Sequence, residues 1–84
     1  MTINPHEHLI ESICNEVLPN TVLAYRSGKF SGSLNYDYYE TTIETEVSLA
    51  MKALLYIPPE KQAIYREKIQ KSFTANLDQL RQKT

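Results

Sequence analysis

The chain has no tryptophan, one cysteine, two glycines and two histidines among its 84 residues. Each scarcity excludes something. A single cysteine, Cys14, rules out an intramolecular disulfide framework and fits a reducing compartment. Both histidines, His6 and His8, lie two residues apart at the start of one predicted helix, so they point to different sides. Metal ligands on a helix are wanted at i and i+4. No Ser/His/Asp arrangement can be assembled from histidines confined to one turn. No apolar run approaches the roughly 18 residues of a membrane span. The start, "MTINPHEHL", has neither a basic stretch nor an apolar one of the kind a cleaved leader carries. Excess charge of either sign is missing too: the net charge is −1, so there is no electrostatic case for nucleic acid or an anionic membrane. Together these absences point to a cytoplasmic protein without catalytic or cofactor machinery.

What remains is ordinary for a folded domain, with 42% hydrophobic and 23% charged residues. The length fits one small domain, 1–84, whose core is modest and which gains stability by associating. Periodicity predicts a mainly α fold: a short N-terminal helix followed by an antiparallel helical hairpin. Asn4 is placed to cap the first helix, Pro5 suits its first position, and Glu7 completes an N-x-x-E box. Its apolar face carries Leu9, Ile13 and Val17 beside Ile10, Cys14 and Leu18. Pro19 is expected to end it, because proline removes a donor and restricts the residue before it. Cys14, on the apolar row, reads as a buried, inert thiol.

Two readings stay open for residues 21–40. In one, Asn20 caps a short helix that stops at Gly28. In the other, a strand from Thr21 to Arg26 turns through Gly28 and Gly32 into a second strand, with Leu34, Tyr36 and Tyr38 alternating with Asn35 and Asp37 as a small β-hairpin would. From Asp37 or Thr41 the pattern is helical to Ile57, with capping boxes offered by Asp37 with Glu40 and by Thr41 with Glu44. Pro58 and Pro59 punctuate, and a last helix runs to about Gln82 with an apolar stripe of Tyr65, Ile69, Phe73, Leu77 and Leu80. Phe73 is expected to bury against the middle helix.

The middle helix carries two rows. Tyr39, Ile43, Val47, Ala50, Leu54 and Ile57 form the face for the last helix. Tyr38, Thr42, Thr45, Leu49, Lys52 and Tyr56 alternate at spacings of four and three, as in a heptad seam. Either this second row packs on the chain's own first helix, or it meets a second copy or another protein; a bundle built from two chains satisfies both. With six tyrosines, the chain is also rich in the side chain that gives interfaces large contact area at low entropy cost.

One other stretch invites a ligand. In "YRSGKFSGS", Arg26 and Lys29 supply positive charge and Gly28 and Gly32 free the backbone, with Tyr36 nearby, so an anion or nucleotide is the chemistry it would take. It does not match the phosphate-loop pattern G-x-x-x-x-G-K-[ST]. The acidic residues Asp37, Glu40, Glu44 and Glu46 lack the glycine of a calcium loop. The bases of the last helix are interleaved with Glu60, Glu67 and Asp78, which reads as a solvated face rather than a nucleic-acid contact. The leading expectation is therefore a non-enzymatic interaction protein (an adaptor, regulator or inhibitor) using Tyr38, Thr42, Thr45, Leu49 and Tyr56, and pairing with itself. The alternative is a small-molecule binding protein using Arg26, Lys29 and Tyr36.

Overall fold

The computed structural model describes residues 4–27 and 36–82. Those residues form three helices and no strand. Helix α1 covers 5–27, α2 is Tyr36–Ala53 and is prolonged by a 3₁₀ turn, Leu54–Tyr56, and α3 is Pro59–Arg81. The fold is mainly α, as the periodicity predicts.

Local chemistry explains most of the boundaries. The Asn4 side chain accepts from the backbone N–H of His6 at 2.8 Å and of Glu7 at 3.3 Å, so the orphan donors of the first turn are satisfied. The Glu7 carboxylate is engaged elsewhere: Lys61 Nζ and the Tyr65 hydroxyl donate to it at 3.3 and 3.1 Å. Pro58 is extended and Pro59 opens α3, where its missing N–H costs nothing. Gln62 Nε2 donates to the Ile57 carbonyl at 3.2 Å and closes the corner between α2 and α3.

Pro19 does not end the first helix. The chain passes through it, and Leu18, immediately before it, keeps helical dihedrals of φ −65° and ψ −49°. Residues Ile13–Val17 form a π-helical turn, in which the N–H of Leu18 reaches back five residues to the Ile13 carbonyl. This wider turn sits where the proline ring would otherwise clash with the carbonyl four residues earlier. The Thr21 hydroxyl donates to the Val17 carbonyl at 2.8 Å, giving a partner to one acceptor beside the irregular turn. Of the two readings of residues 21–40, the helical one holds for Thr21 to Arg26, although Asn20 lies inside the helix rather than capping it, and Tyr36 and Tyr38 of the alternative hairpin lie in α2. The residues between, with Gly28, Gly32 and Leu34, fall outside those described. The caps proposed for α2 also shift: Asp37 and Thr41 are inside the helix, which has begun by Tyr36.

Contacts between the helix ends fix the topology. Asn4 Nδ2 donates to the Tyr56 carbonyl at 3.5 Å, and Glu7 meets Lys61, so the start of α1 lies by the end of α2 and the start of α3. Arg81 Nε donates to the Tyr36 hydroxyl at 3.2 Å, joining the end of α3 to the start of α2. Helix α2 therefore runs antiparallel to both others. The two shorter principal extents, 20 and 17 Å, leave room for no more than about two helix diameters of ~10–12 Å in either direction. One apolar seam is all such a cross-section encloses. It is filled by Ile10, Ile13, Leu18, Ile43, Ile69 and Leu80, each almost wholly buried. Ala50 and Ala53 on α2 are buried as well, and their small size lets the helices approach. Phe73 packs against this core but is only partly buried.

Candidate interaction site

The expected second row of α2 lies on the outside. Tyr38, Leu49 and Tyr56 are 51, 46 and 64% exposed, Thr45 and Lys52 are exposed, and Thr42 is intermediate. By contrast, Tyr39, Ile43, Ala50, Leu54 and Ile57 of the first row are buried, with Val47 intermediate. The two rows of one helix therefore meet different surroundings. Tyr39 and Ala53, next to the outer row in sequence, turn inward, so the row runs along the edge where α1 meets α2 rather than beneath α1. The row meets its own first helix at its two ends, at the groove beside Tyr38 and Thr42 and where Tyr56 stacks on His6, while Thr45, Leu49 and Lys52 between them are exposed.

At the Tyr38 end the two helices leave an open groove of about 470 Å³. Helix α1 contributes Val17, Asn20, Thr21 and Ala24, and α2 contributes Tyr38, Tyr39 and Thr42. The Thr42 hydroxyl donates to the Tyr38 carbonyl at 2.9 Å and the Thr21 hydroxyl to the Val17 carbonyl at 2.8 Å, so both hydroxyls are engaged by their own helices. Tyrosines form its end. Tyr38 and Tyr39 meet edge to face with centroids 5.2 Å apart, and Tyr25 lies 5.1 Å from Tyr39 and 6.0 Å from Tyr36. Such tilted and perpendicular contacts suit the ring quadrupole. At the other end of the row, Tyr56 stacks on His6 at 4.7 Å and 22° and otherwise stands in solvent.

Of the alternative anion site, Arg26, Lys29 and Tyr36, two residues fall among those described. Arg26 is exposed in the last turn of α1, whereas Lys29 lies outside those residues. Tyr36 is committed elsewhere: its hydroxyl donates to Glu40 Oε2 at 2.9 Å and accepts from Arg81 Nε, while Arg81 Nη2 reaches the same carboxylate oxygen at 3.6 Å. Burial chiefly, then the adjoining Glu40 carboxylate, pushes the Tyr36 phenol above its ordinary value, with the Arg81 hydrogen bond opposing. The same bond raises Arg81. Tyr65 is raised too, by burial and then by its hydrogen bond to Glu7. Glu67 is held down by the Lys71 ammonium 2.9 Å away, an exposed helical pair of the kind worth little in stability.

Cys14 is buried as expected. Among the described residues no group of three or more His, Cys, Asp or Glu is placed to hold a metal ion, and no helix is long and apolar enough to cross a membrane. Apart from Val17, the α1 side of the groove lies beyond Pro19, past the point where the sequence reading ends the first helix. The signal is present nonetheless, since Val17, Thr21 and Ala24 continue at spacings of four and three past the proline. No family model, curated protein or solved structure matches this chain.

Proposed function

We propose that the protein is a non-enzymatic helical interaction module, a small adaptor, regulator or inhibitor that acts by covering a partner's surface and that pairs with itself. Tyr38, Thr42, Thr45, Leu49 and Tyr56 carry the contact. One observation supports this above the others: a row with the spacing of a helix–helix seam stands outside the core its own helix helps to build. Apolar residues scattered singly over a surface need no explanation, but these are aligned. The groove at the Tyr38 end and the aromatic ring at the Tyr56 end give the row relief that a flat solvated face lacks.

The test is Leu49→Asp. Leu49 sits at the middle of the row, where a carboxylate shut away from water without a counter-charge is costly. Being 46% exposed, it contributes little to the single chain's core, so helical circular dichroism should be retained. Light scattering should find the parent as a dimer and the variant as a monomer. A parent that is monomeric at high concentration would remove self-association, and a variant that unfolded would return the row to the chain's own interior.

A further inference from the structure

The two ends of the row differ in shape and in charge, and the differences are complementary. At the Tyr38 end is a concavity between α1 and α2, bounded by Val17, Thr21, Ala24, Tyr38 and Thr42. At the Tyr56 end is a projecting ring, 64% exposed, steadied on one face by His6. Within α2, Asp37, Glu44 and Glu46 lie in the acidic N-terminal part, and Lys52, in the last turn, is the single base. Two copies placed side by side in the same direction would set acid on acid, Lys52 on Lys52, and like helix poles together. Reversing one copy separates the two Lys52 ammoniums and sets opposite helix poles together, and of the acids it leaves Glu46 of the two copies close, about 3 Å apart along the axes.

We propose that a second copy of this chain docks antiparallel along the outer row of α2, about a two-fold axis that crosses between Thr45 and Leu49, so that Tyr56 of each copy enters the groove of the other. This rests on the reading of the row as an interaction seam and adds its partner and geometry. In this register Tyr38 faces Tyr56 of the second copy, Thr42 faces its Lys52, and Thr45 faces its Leu49. Each groove is thereby closed by a ring the chain cannot supply to itself. Its own Tyr56 lies at the opposite end of α2, ~27 Å away at 1.5 Å per residue. The contact is isologous, so the knob and the groove are each used twice and the assembly stops at two copies. Lys52 of each copy comes to lie beside the acidic part of the other.

The arrangement is tested by spin labels on Thr41→Cys and, separately, Ser48→Cys. Both positions are exposed, both flank the row without belonging to it, and the native thiol of Cys14 is buried. In the antiparallel register the two copies of position 48 are offset by about 3 Å along the axes and those of position 41 by about 18 Å, in addition to a helix separation of ~8–10 Å. Strong dipolar coupling is therefore expected at 48 and weak, longer-range coupling at 41. Strong coupling at both means a parallel pair and overturns the proposal. A dimer with coupling at neither places the interface elsewhere and also overturns it, while leaving self-association standing. A protein with no dimer fails at the earlier step, the reading of the row itself. In parallel, Tyr56→Ala should weaken the dimer at least about tenfold, as loss of a buried aromatic anchor does, with the fold intact. Unchanged dimer affinity would show that Tyr56 fills nothing.

Discussion

Ile43 and Ile64 make a matched pair for testing how the core is drawn. Ile43 is fully buried at the middle of α2, whereas Ile64, in the second turn of α3, is 67% exposed. Replacing either by alanine removes the same three carbons. At Ile43 their transfer to water is worth about 2.4 kcal/mol at ~0.8 kcal/mol per buried carbon, before the cavity left behind. Helix propensity returns a few tenths, because alanine is the better helix former. The net loss is about 3 kcal/mol. A chain of 84 residues has ~4–13 kcal/mol in total, so one substitution removes a large part of it. At roughly 4–8 °C per kcal/mol for a domain of this size, Ile43→Ala should lower the melting temperature by about 12–24 °C. At Ile64 the transfer loss is small and the propensity gain remains, so Ile64→Ala should leave the melting temperature unchanged or slightly raised. Thermal melting followed by circular dichroism on both variants, at one protein concentration, decides the matter. Equal losses, or a larger loss at Ile64, would refute the assignment of inside and outside.

Other consequences are open to measurement. Asn4→Ala removes the acceptor for two N–H groups and the tie to Tyr56, and should cost about 1 kcal/mol in chemical denaturation; no loss would mean that water caps the helix equally well. Tyr36 and Tyr65 have phenols raised in the folded state, so their contribution is complete below the unfolded value near 10 and is lost as pH rises through the folded values. Stability should fall through that alkaline range, less steeply in Tyr65→Phe, and a flat profile would contradict the burial of the phenols. Phosphate and nucleotides should leave the melting temperature unchanged, since Tyr36 is committed to Glu40 and Arg81 and the adjoining carboxylate repels anions. A rise abolished by replacing Arg26 and Lys29 would instead establish an anion site.

The helical periodicity of this fold and the starts of its first and last helices are legible in the sequence, whereas Pro19 is a false stop. Asn4 with Pro5, and Pro58 with Pro59, are local devices whose effect needs no partner, and α1 and α3 begin where they stand. The buried row of α2 follows from spacing alone. The stretch from Thr21 to Tyr38 was less legible because tyrosine, valine and threonine suit strands, and a few alternating residues fit a strand and a helix start equally. Its outcome is decided by tertiary packing: Tyr39 faces the core and Tyr36 faces Arg81. Asn76 falls on the α3 stripe between Phe73 and Leu80 and is buried, its amide donating to the Ser72 carbonyl at 2.7 Å. Polarity hid a position that spacing would have placed. For the candidate site, local pattern identifies the row but not which part of it α1 leaves uncovered. That depends on how two helices cross, which no single stretch encodes.

The π turn at Ile13–Val17 has a further consequence for the arithmetic of the chain. Ile10, Cys14, Leu18 and Val22 are all buried, though in an unbroken α-helix each step of four residues drifts about 40° around the axis. Four such positions would wander off the core. The wider turn, which spends an additional residue on one circuit, rewinds that drift and brings Leu18 and Val22 back into line. In effect the helix accommodates one more residue than a regular turn would, without changing what either half faces. The additional residue and Pro19 belong together, the one making room for the other's ring. A relative lacking that proline has no need of the additional residue, and its first helix should be one residue shorter here while presenting the same core.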